Sequence, residues 1–238
     1  MQGLTNSIQW SIMAGLGTAL GALLIFVKQQ WSSQSLAFYL GLASGVMMAV
    51  VVFDMLPSAL LYTGIGKVMG GILVGVLLIA AGDYFLLAKM PGPQTLGGLG
   101  YLVMLGIALH DLPEGMAIAL GDVMKTQTGI VIAMGIGIHN IPEGMAIAAP
   151  LIMAGIKKPV IFLQILAVGL ITPLGTILGI YLASALPSFL PLLLGMASGI
   201  MTYLVIFQLW PQAKLKNRHS RWWGFYLGAA IILIATFL

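Results

Sequence analysis

Long apolar runs, broken at short intervals by small polar clusters, dominate the chain. A helix that crosses a bilayer needs ~20 mostly apolar residues. Eight runs meet that requirement, near 5–27, 35–60, 68–88, 96–121, 127–154, 159–185, 190–213 and 222–238. The last is short, but it crosses the hydrocarbon if it stands nearly upright. The segments between them are KQQWSSQ, YTGIGK, KMPGPQ, DVMKTQ, GIKKP, LPSFLP and KLKNRHSR. None is long enough for a separate domain, so residues 1–238 are expected to form a single transmembrane domain. The strict alternation of a membrane β-barrel is absent. The pattern predicts an all-α, polytopic membrane protein of eight transmembrane helices.

Composition agrees. Of the 238 residues 60% are apolar and 7% charged, with a mean hydropathy of +1.08, where a soluble domain carries ~25% charged residues. There is no cysteine, so disulfides and thiolate metal sites are excluded. The amino terminus, MQGLTNSIQW, lacks the basic n-region and cleavage site of a removable signal peptide. The net charge of +4 comes from cations in the connections, so it reports membrane topology rather than nucleic-acid binding. Lys28, Lys89, Lys157, Lys158, Lys214, Lys216, Arg218 and Arg221 fall on one side, with Lys67 and Lys125 on the other. The positive-inside bias places the first set in the cytoplasm and both termini outside it. Trp10, Trp31, Trp222 and Trp223 lie near helix ends, where interfacial aromatics are common.

Two internal repeats organise the spans. HDLPEGMAIA (110–119) and HNIPEGMAIA (139–148) match at eight of ten positions. LGLASGVMMAVVVFDMLPSAL (40–60) aligns with LGMASGIMTYLVIFQLWPQAK (194–214) at an offset of 154 residues. The second span therefore resembles the seventh, and the fourth the fifth. This predicts a 3+2+3 inverted-repeat arrangement, a pattern common in transporters. Close packing of small residues would account for the second repeat alone, but not for two repeats in mirrored order.

The acids locate the chemistry. There are six: Asp54, Asp83, Asp111, Glu114, Asp122 and Glu143. All but Asp122 fall inside predicted spans, as do His110 and His139. An ionised carboxylate at mid-bilayer costs at least ~2.5 kcal/mol, so such groups are paired, wetted or bound to a cation. His110 and Glu114 are four apart and share a helix face, and His139 and Glu143 repeat that spacing. Two antiparallel helices facing each other would gather two imidazoles and two carboxylates. Their two negative charges balance one divalent cation, and the donors suit Zn²⁺, Fe²⁺ and similar ions. Pro113 and Pro142 free the carbonyls of Leu109 and Ile138 beside these residues. Asp111 and Asn140 point about 100° away from their histidines and are placed to serve a neighbouring second site. The plainer alternative is a buried polar network locking two helices together. Duplication, with proline and glycine in register, favours the metal.

Other polar residues leave alternatives open. Asp54 either guides the metal or hydrogen-bonds a neighbouring helix. Asp83 reads as an interfacial or paired acid, and His219 as solvated in a basic connection. The methionines read as packing.

H-[DN]-x-P-E-G on two successive helices resembles the ZIP (Zrt-, Irt-like protein) family of divalent metal transporters. The likeness covers nearly the whole chain, including F-D-M-L-P at 53–57. It implies a metal path through the fourth and fifth helices, with His110, Glu114, His139 and Glu143 as principal site and Asp111 and Asn140 in an adjoining one. It implies import of Zn²⁺ first, then Fe²⁺, Mn²⁺, Co²⁺ or Cd²⁺, across the cell membrane by alternating access. The resemblance also implies elevator-like movement of a helix bundle and a homodimer. The family's sixth-helix glutamate is replaced by Thr172, and Gln208 and Gln212 stand where acids are common. Ser58 departs from L-P-E-A, and KMPGPQ lacks the family's histidine-rich loop. Asp54, Thr172 and Gln208 remain as residues along the path. One strong metal and a weak or absent second are expected.

No nucleotide-binding motif is present, so transport draws on the metal gradient, a coupled ion or the membrane potential. The potential supplies ~2.3 kcal/mol per charge per 100 mV. No organic cofactor is implied, and the partners expected are the metal and the bilayer. The main rival is an intramembrane metal-dependent hydrolase, but the chain lacks H-E-x-x-H.

Overall fold

The computed structural model describes residues 2–62, 64–89, 96–182 and 186–237. Among these there are helices and no strand. Eight are long and apolar enough to cross a membrane: α1 (Asn6–Phe26), α2 (Ser33–Leu61), α3 (Ile65–Phe85), α4 (Leu96–Met124), α5 (Thr126–Met153), α6 (Lys158–Tyr181), α7 (Phe189–Lys216) and α8 (Arg218–Phe237). The third connection, at 90–95, lies outside the described residues.

Three features depart from the expected spans, each for a local reason. First, α8 begins at Arg218 rather than 222. Asn217 caps it, its side-chain oxygen accepting from the Ser220 N–H at 2.8 Å, and asparagine is a strong N-cap. Arg218, His219 and Arg221 therefore lie on the helix, not in a connection. Hydropathy stops at charges, whereas a cap starts the helix before them. Second, α6 is not continuous: Lys158–Gly169 and Ile171–Tyr181 meet at Leu170. Pro173 has no N–H to give the Gly169 carbonyl, and the ladder breaks there. Third, α2 and α7 each contain a π-turn, Val51–Met55 and Leu204–Leu209. The Leu56 N–H reaches the Val51 carbonyl and the Trp210 N–H that of Val205, five residues back in each case. Pro57 and Pro211 follow immediately and leave the carbonyls of Phe53 and Phe207 without their usual donors. Such turns mark functional sites in many helices.

The helices sort into groups by how closely their backbones approach. Gly144 of α5 sits against the Thr18 backbone of α1, and Gly115 of α4 against Thr172 of α6. A Cβ at either position would overlap a carbonyl oxygen. Helices α1, α4, α5 and α6 are joined in this way. Gly45 of α2 meets Phe225 of α8, and Gly75 of α3 meets Met196 of α7, with the same intimacy. In membranes, where lipid is as apolar as leucine, such small-residue contacts hold helices together. Where α4 meets α3 and α7 the contact is looser in kind. It is a cluster of aliphatic side chains, Ile79, Leu102, Ile200 and Leu204.

Candidate metal site

The duplicated motif meets itself at the α4–α5 interface. His110, Asp111, Glu114, Asn140 and Glu143 are fully or almost fully buried, as is His139. The pairing crosses between helices. His110 Nε2 lies 3.3 Å from Glu143 Oε2, and His139 Nε2 lies 3.1 Å from Glu114 Oε2. Each histidine thus faces the glutamate of the other helix rather than the one four residues along its own. Gly106 fixes the first ring, because His110 Nδ1 donates to its carbonyl oxygen at 3.0 Å.

That hydrogen bond has an electrostatic consequence. With Nδ1–H committed to Gly106, a neutral His110 presents the Nε2 lone pair to a glutamate oxygen. Two lone pairs at 3.3 Å require a cation between them, either a proton or a metal. Nitrogen and oxygen ligands ~2.0–2.1 Å from a tetrahedral Zn²⁺ are separated by about 3.3 Å. Both cross-pairs match such an edge, and a carbonyl holding the far ring nitrogen is the usual support for a metal-binding histidine. The second oxygens, Glu114 Oε1 and Glu143 Oε1, are buried without hydrogen-bond partners.

Asp111 lies closer to this group than its place on the helix suggests. Its Oδ1 is 3.5 Å from His110 Nε2, and ligand atoms of His110, Asp111 and Glu114 all lie within 4.8 Å of one another. Asn140 turns its amide toward α1 and donates to the Ala14 carbonyl at 3.1 Å. Thr172 of α6 is buried with its hydroxyl unpartnered, and its carbonyl accepts from Thr176 Oγ1 at 3.2 Å.

A cavity of about 270 Å³ adjoins the site. His139 and Glu114 line it together with Asp54, Ser58, Thr128, Leu190 and further apolar residues. It therefore runs toward the membrane face where α2 and α4 end and α5 and α7 begin. Asp54 sits on the α2 π-turn, where Ser58 Oγ donates to its Oδ1 at 3.4 Å. In the opposite direction Val103, Ile107, Ile147 and Leu151 are buried in one continuous core.

Gln208 does not join the histidine–glutamate group. It lies on the α7 π-turn and donates to Asp83 Oδ2 of α3 at 2.7 Å, where Tyr203 also donates at 2.6 Å. Asp83 is therefore a paired acid, one of the readings its sequence position allowed. His219 is exposed on α8, and its Nε2 accepts from Trp223 Nε1 at 2.9 Å. Thr18 escaped the sequence reading: it is fully buried, with an unpartnered hydroxyl. The signal was a lone threonine between Gly17 and Gly21 in an apolar run.

Sequence comparison adds an independent line. Residues 91–236 match the family described as ZIP Zinc transporter. The Zinc transporter ZupT of Escherichia fergusonii is 33% identical over 222 residues, covering 86% of this chain and 85% of that protein. The Zinc transporter ZTP29 of Arabidopsis thaliana is 32% identical over 228 residues, covering 85% and 83%.

Proposed function

Because the chain belongs to the ZIP zinc transporter family, a family of transporters and not enzymes, we propose that this multi-pass membrane protein carries Zn²⁺ into the cytoplasm. Divalent metal transport follows from the family. Zn²⁺ as the ion, import as the direction and the α4–α5 interface as the route extend that family activity. His110, Glu114, His139 and Glu143 form the principal site, and Asp111 and Asn140 adjoin it. Fe²⁺, Mn²⁺, Co²⁺ and Cd²⁺ are competing substrates, since imidazole and carboxylate accept them all.

The cross-pairing of histidine and glutamate between α4 and α5 carries this reading. Uncompensated carboxylates in a bilayer are costly, and a divalent ion neutralises the pair of glutamates. The cation-rich ends of α1, α3, α5 and α7 support a cytoplasmic location for those ends. On that orientation both termini are extracytoplasmic, and the Asp54-lined cavity opens to the outside of the cell membrane. The packing supports alternating access by relative movement of two groups. Helices α1, α4, α5 and α6, locked by close glycine contacts, carry the site. The remaining helices frame it, across a side-chain seam that can slide. The paired π-turns fit a 3+2+3 inverted repeat, since offset 154 maps Val51–Met55 onto the α7 turn. A homodimer in the bilayer, each protomer a single transmembrane domain, completes the picture.

Sealed vesicles containing the purified protein test the proposal. Zn²⁺ uptake should saturate, quicken when the interior is negative, and vanish in Glu143→Ala. Uptake by that variant at the wild-type rate would remove the site assignment. Competition among divalent ions ranks the substrates.

A further inference from the structure

The turn between α7 and α8 holds a buried charge that no acid of the chain balances. Arg221 is only 5% exposed. Its guanidinium carbon lies 4.1 Å from the centre of the Trp210 ring and 5.6 Å from that of Trp222. Nη1 donates to the Trp210 carbonyl oxygen at 3.5 Å, a long and weak hydrogen bond. Nε is buried without a partner. Rings and a carbonyl offset part of the cost of burying a cation, but they are neutral and leave its charge uncompensated.

The six acids are all engaged or placed elsewhere. Asp111, Glu114 and Glu143 belong to the histidine group, and Asp54 accepts from Ser58. Asp122 is near the end of α4, on the opposite side of the membrane from this turn. Asp83 meets α7 at Gln208, two residues before Trp210, yet its partners are the neutral donors Tyr203 and Gln208. Arg221 therefore has no counter-ion among the described residues. The arginine is also firmly seated. Asn217 caps α8 one turn earlier, and a Cβ on Gly41 of α2 would overlap the Arg221 carbonyl oxygen.

The surroundings indicate where the missing anion comes from. Arg221 is one turn inside the start of α8, and Trp222, Trp223 and Tyr226 are exposed beside it, as aromatic residues are at the level of lipid headgroups. Arg218, one turn earlier on the same face, and Lys214, in the last turn of α7, are exposed as well. No acid lies between Lys214 and Arg221. Basic pockets between helices on the cytoplasmic side are suited to anionic headgroups.

We propose that Arg221, with Arg218 and Lys214, binds the phosphate of an anionic phospholipid. The lipid belongs to the leaflet that this turn faces, the cytoplasmic one on the orientation given above. With Nη1 on the Trp210 carbonyl, Nε and Nη2 form the side-on fork that recognises phosphate. The headgroup supplies the absent negative charge, and a zwitterionic lipid, with its own cation, does not. Trp210 closes the α7 π-turn, so the bound lipid braces the framing group of helices.

The full chain in detergent, offered equal amounts of phosphatidylglycerol and phosphatidylcholine with matched acyl chains, provides the test. Native mass spectrometry counts the lipids retained. The wild type should prefer phosphatidylglycerol by about tenfold. Arg221→Gln should reduce that preference by about fivefold. Arg218→Gln, at an exposed position, should also lower it while the melting temperature holds, so the proposal stays testable if the Arg221 variant fails to fold. Lys125→Gln, on the opposite side of the membrane, should leave it unchanged. Equal retention of the two lipids by the wild type overturns the proposal. So does a preference that survives both arginine variants, or one that Lys125→Gln weakens as much. If inorganic phosphate displaces the lipid at an ionic strength where chloride does not, the site belongs to free phosphate and the proposal fails. No metal enters the measurement, so its outcome is independent of Zn²⁺ transport.

Discussion

Each polar side chain of the candidate site depends on a specific neighbour. His110 is held by Gly106 and faced by Glu143. Glu143→Gln keeps the shape but removes a charge and exchanges a carboxylate oxygen for an amide. Zn²⁺ affinity should fall by about 100-fold or more, measured by equilibrium dialysis, while the melting temperature holds. Protons compete with metal for imidazoles and carboxylates. Zn²⁺ binding should therefore weaken steadily from about pH 7.5 to 5.5, with protons released on binding. Calorimetry in buffers of different ionisation enthalpy counts those protons. Asp83 is a separate matter, paired with Tyr203 and Gln208 away from the site. Tyr203→Phe should cost about 1 kcal/mol of stability and leave Zn²⁺ affinity unchanged.

The helices are held by how closely they approach. At Gly144 a Cβ would overlap the Thr18 carbonyl, whereas at Gly135 nothing lies within 4 Å. Gly144→Ala must push α1 from α5 and should cost about 1–3 kcal/mol. Gly135→Ala, on the same helix, should be neutral. Thermal unfolding of the two variants in one detergent compares them directly. The interruptions in α2, α6 and α7 all sit next to prolines, at Pro57, Pro173 and Pro211. Hydropathy was blind to them because a proline leaves the apolar run intact while removing a hydrogen bond. Hydropathy places the start of α8 too late for the converse reason: Asn217 starts the helix amid charges.

For the whole molecule, the proposed movement occurs where α4 slides on α3 and α7. Gly82 of α3 stands beside the Leu105 side chain of α4, across that seam. Gly121 and Gly129 face each other inside the moving group. The natural chain has no cysteine, so paired cysteines can be placed cleanly. A short thiol cross-linker joining Gly82→Cys to Leu105→Cys should stop Zn²⁺ uptake without weakening Zn²⁺ binding. The same cross-linker on Gly121→Cys and Gly129→Cys should leave uptake intact. Uptake through a molecule linked at 82 and 105 would rule out sliding at this seam.

The eight spans and the helical phase of H-x-x-x-E were legible in the residues alone. All are properties of one segment at a time: apolar length against bilayer thickness, and side chains four apart sharing a face. What packing alone decided is which faces meet. The sequence did not say that His110 would pair with Glu143 and His139 with Glu114, nor that Asp111 would reach the same group. Thr18 shows the limit most plainly. A lone hydroxyl in an apolar run has no meaning until other helices close over it, as α5 does where Gly144 meets the Thr18 backbone, because contacts between distant segments are set by the fit of whole surfaces rather than by spacing along the chain.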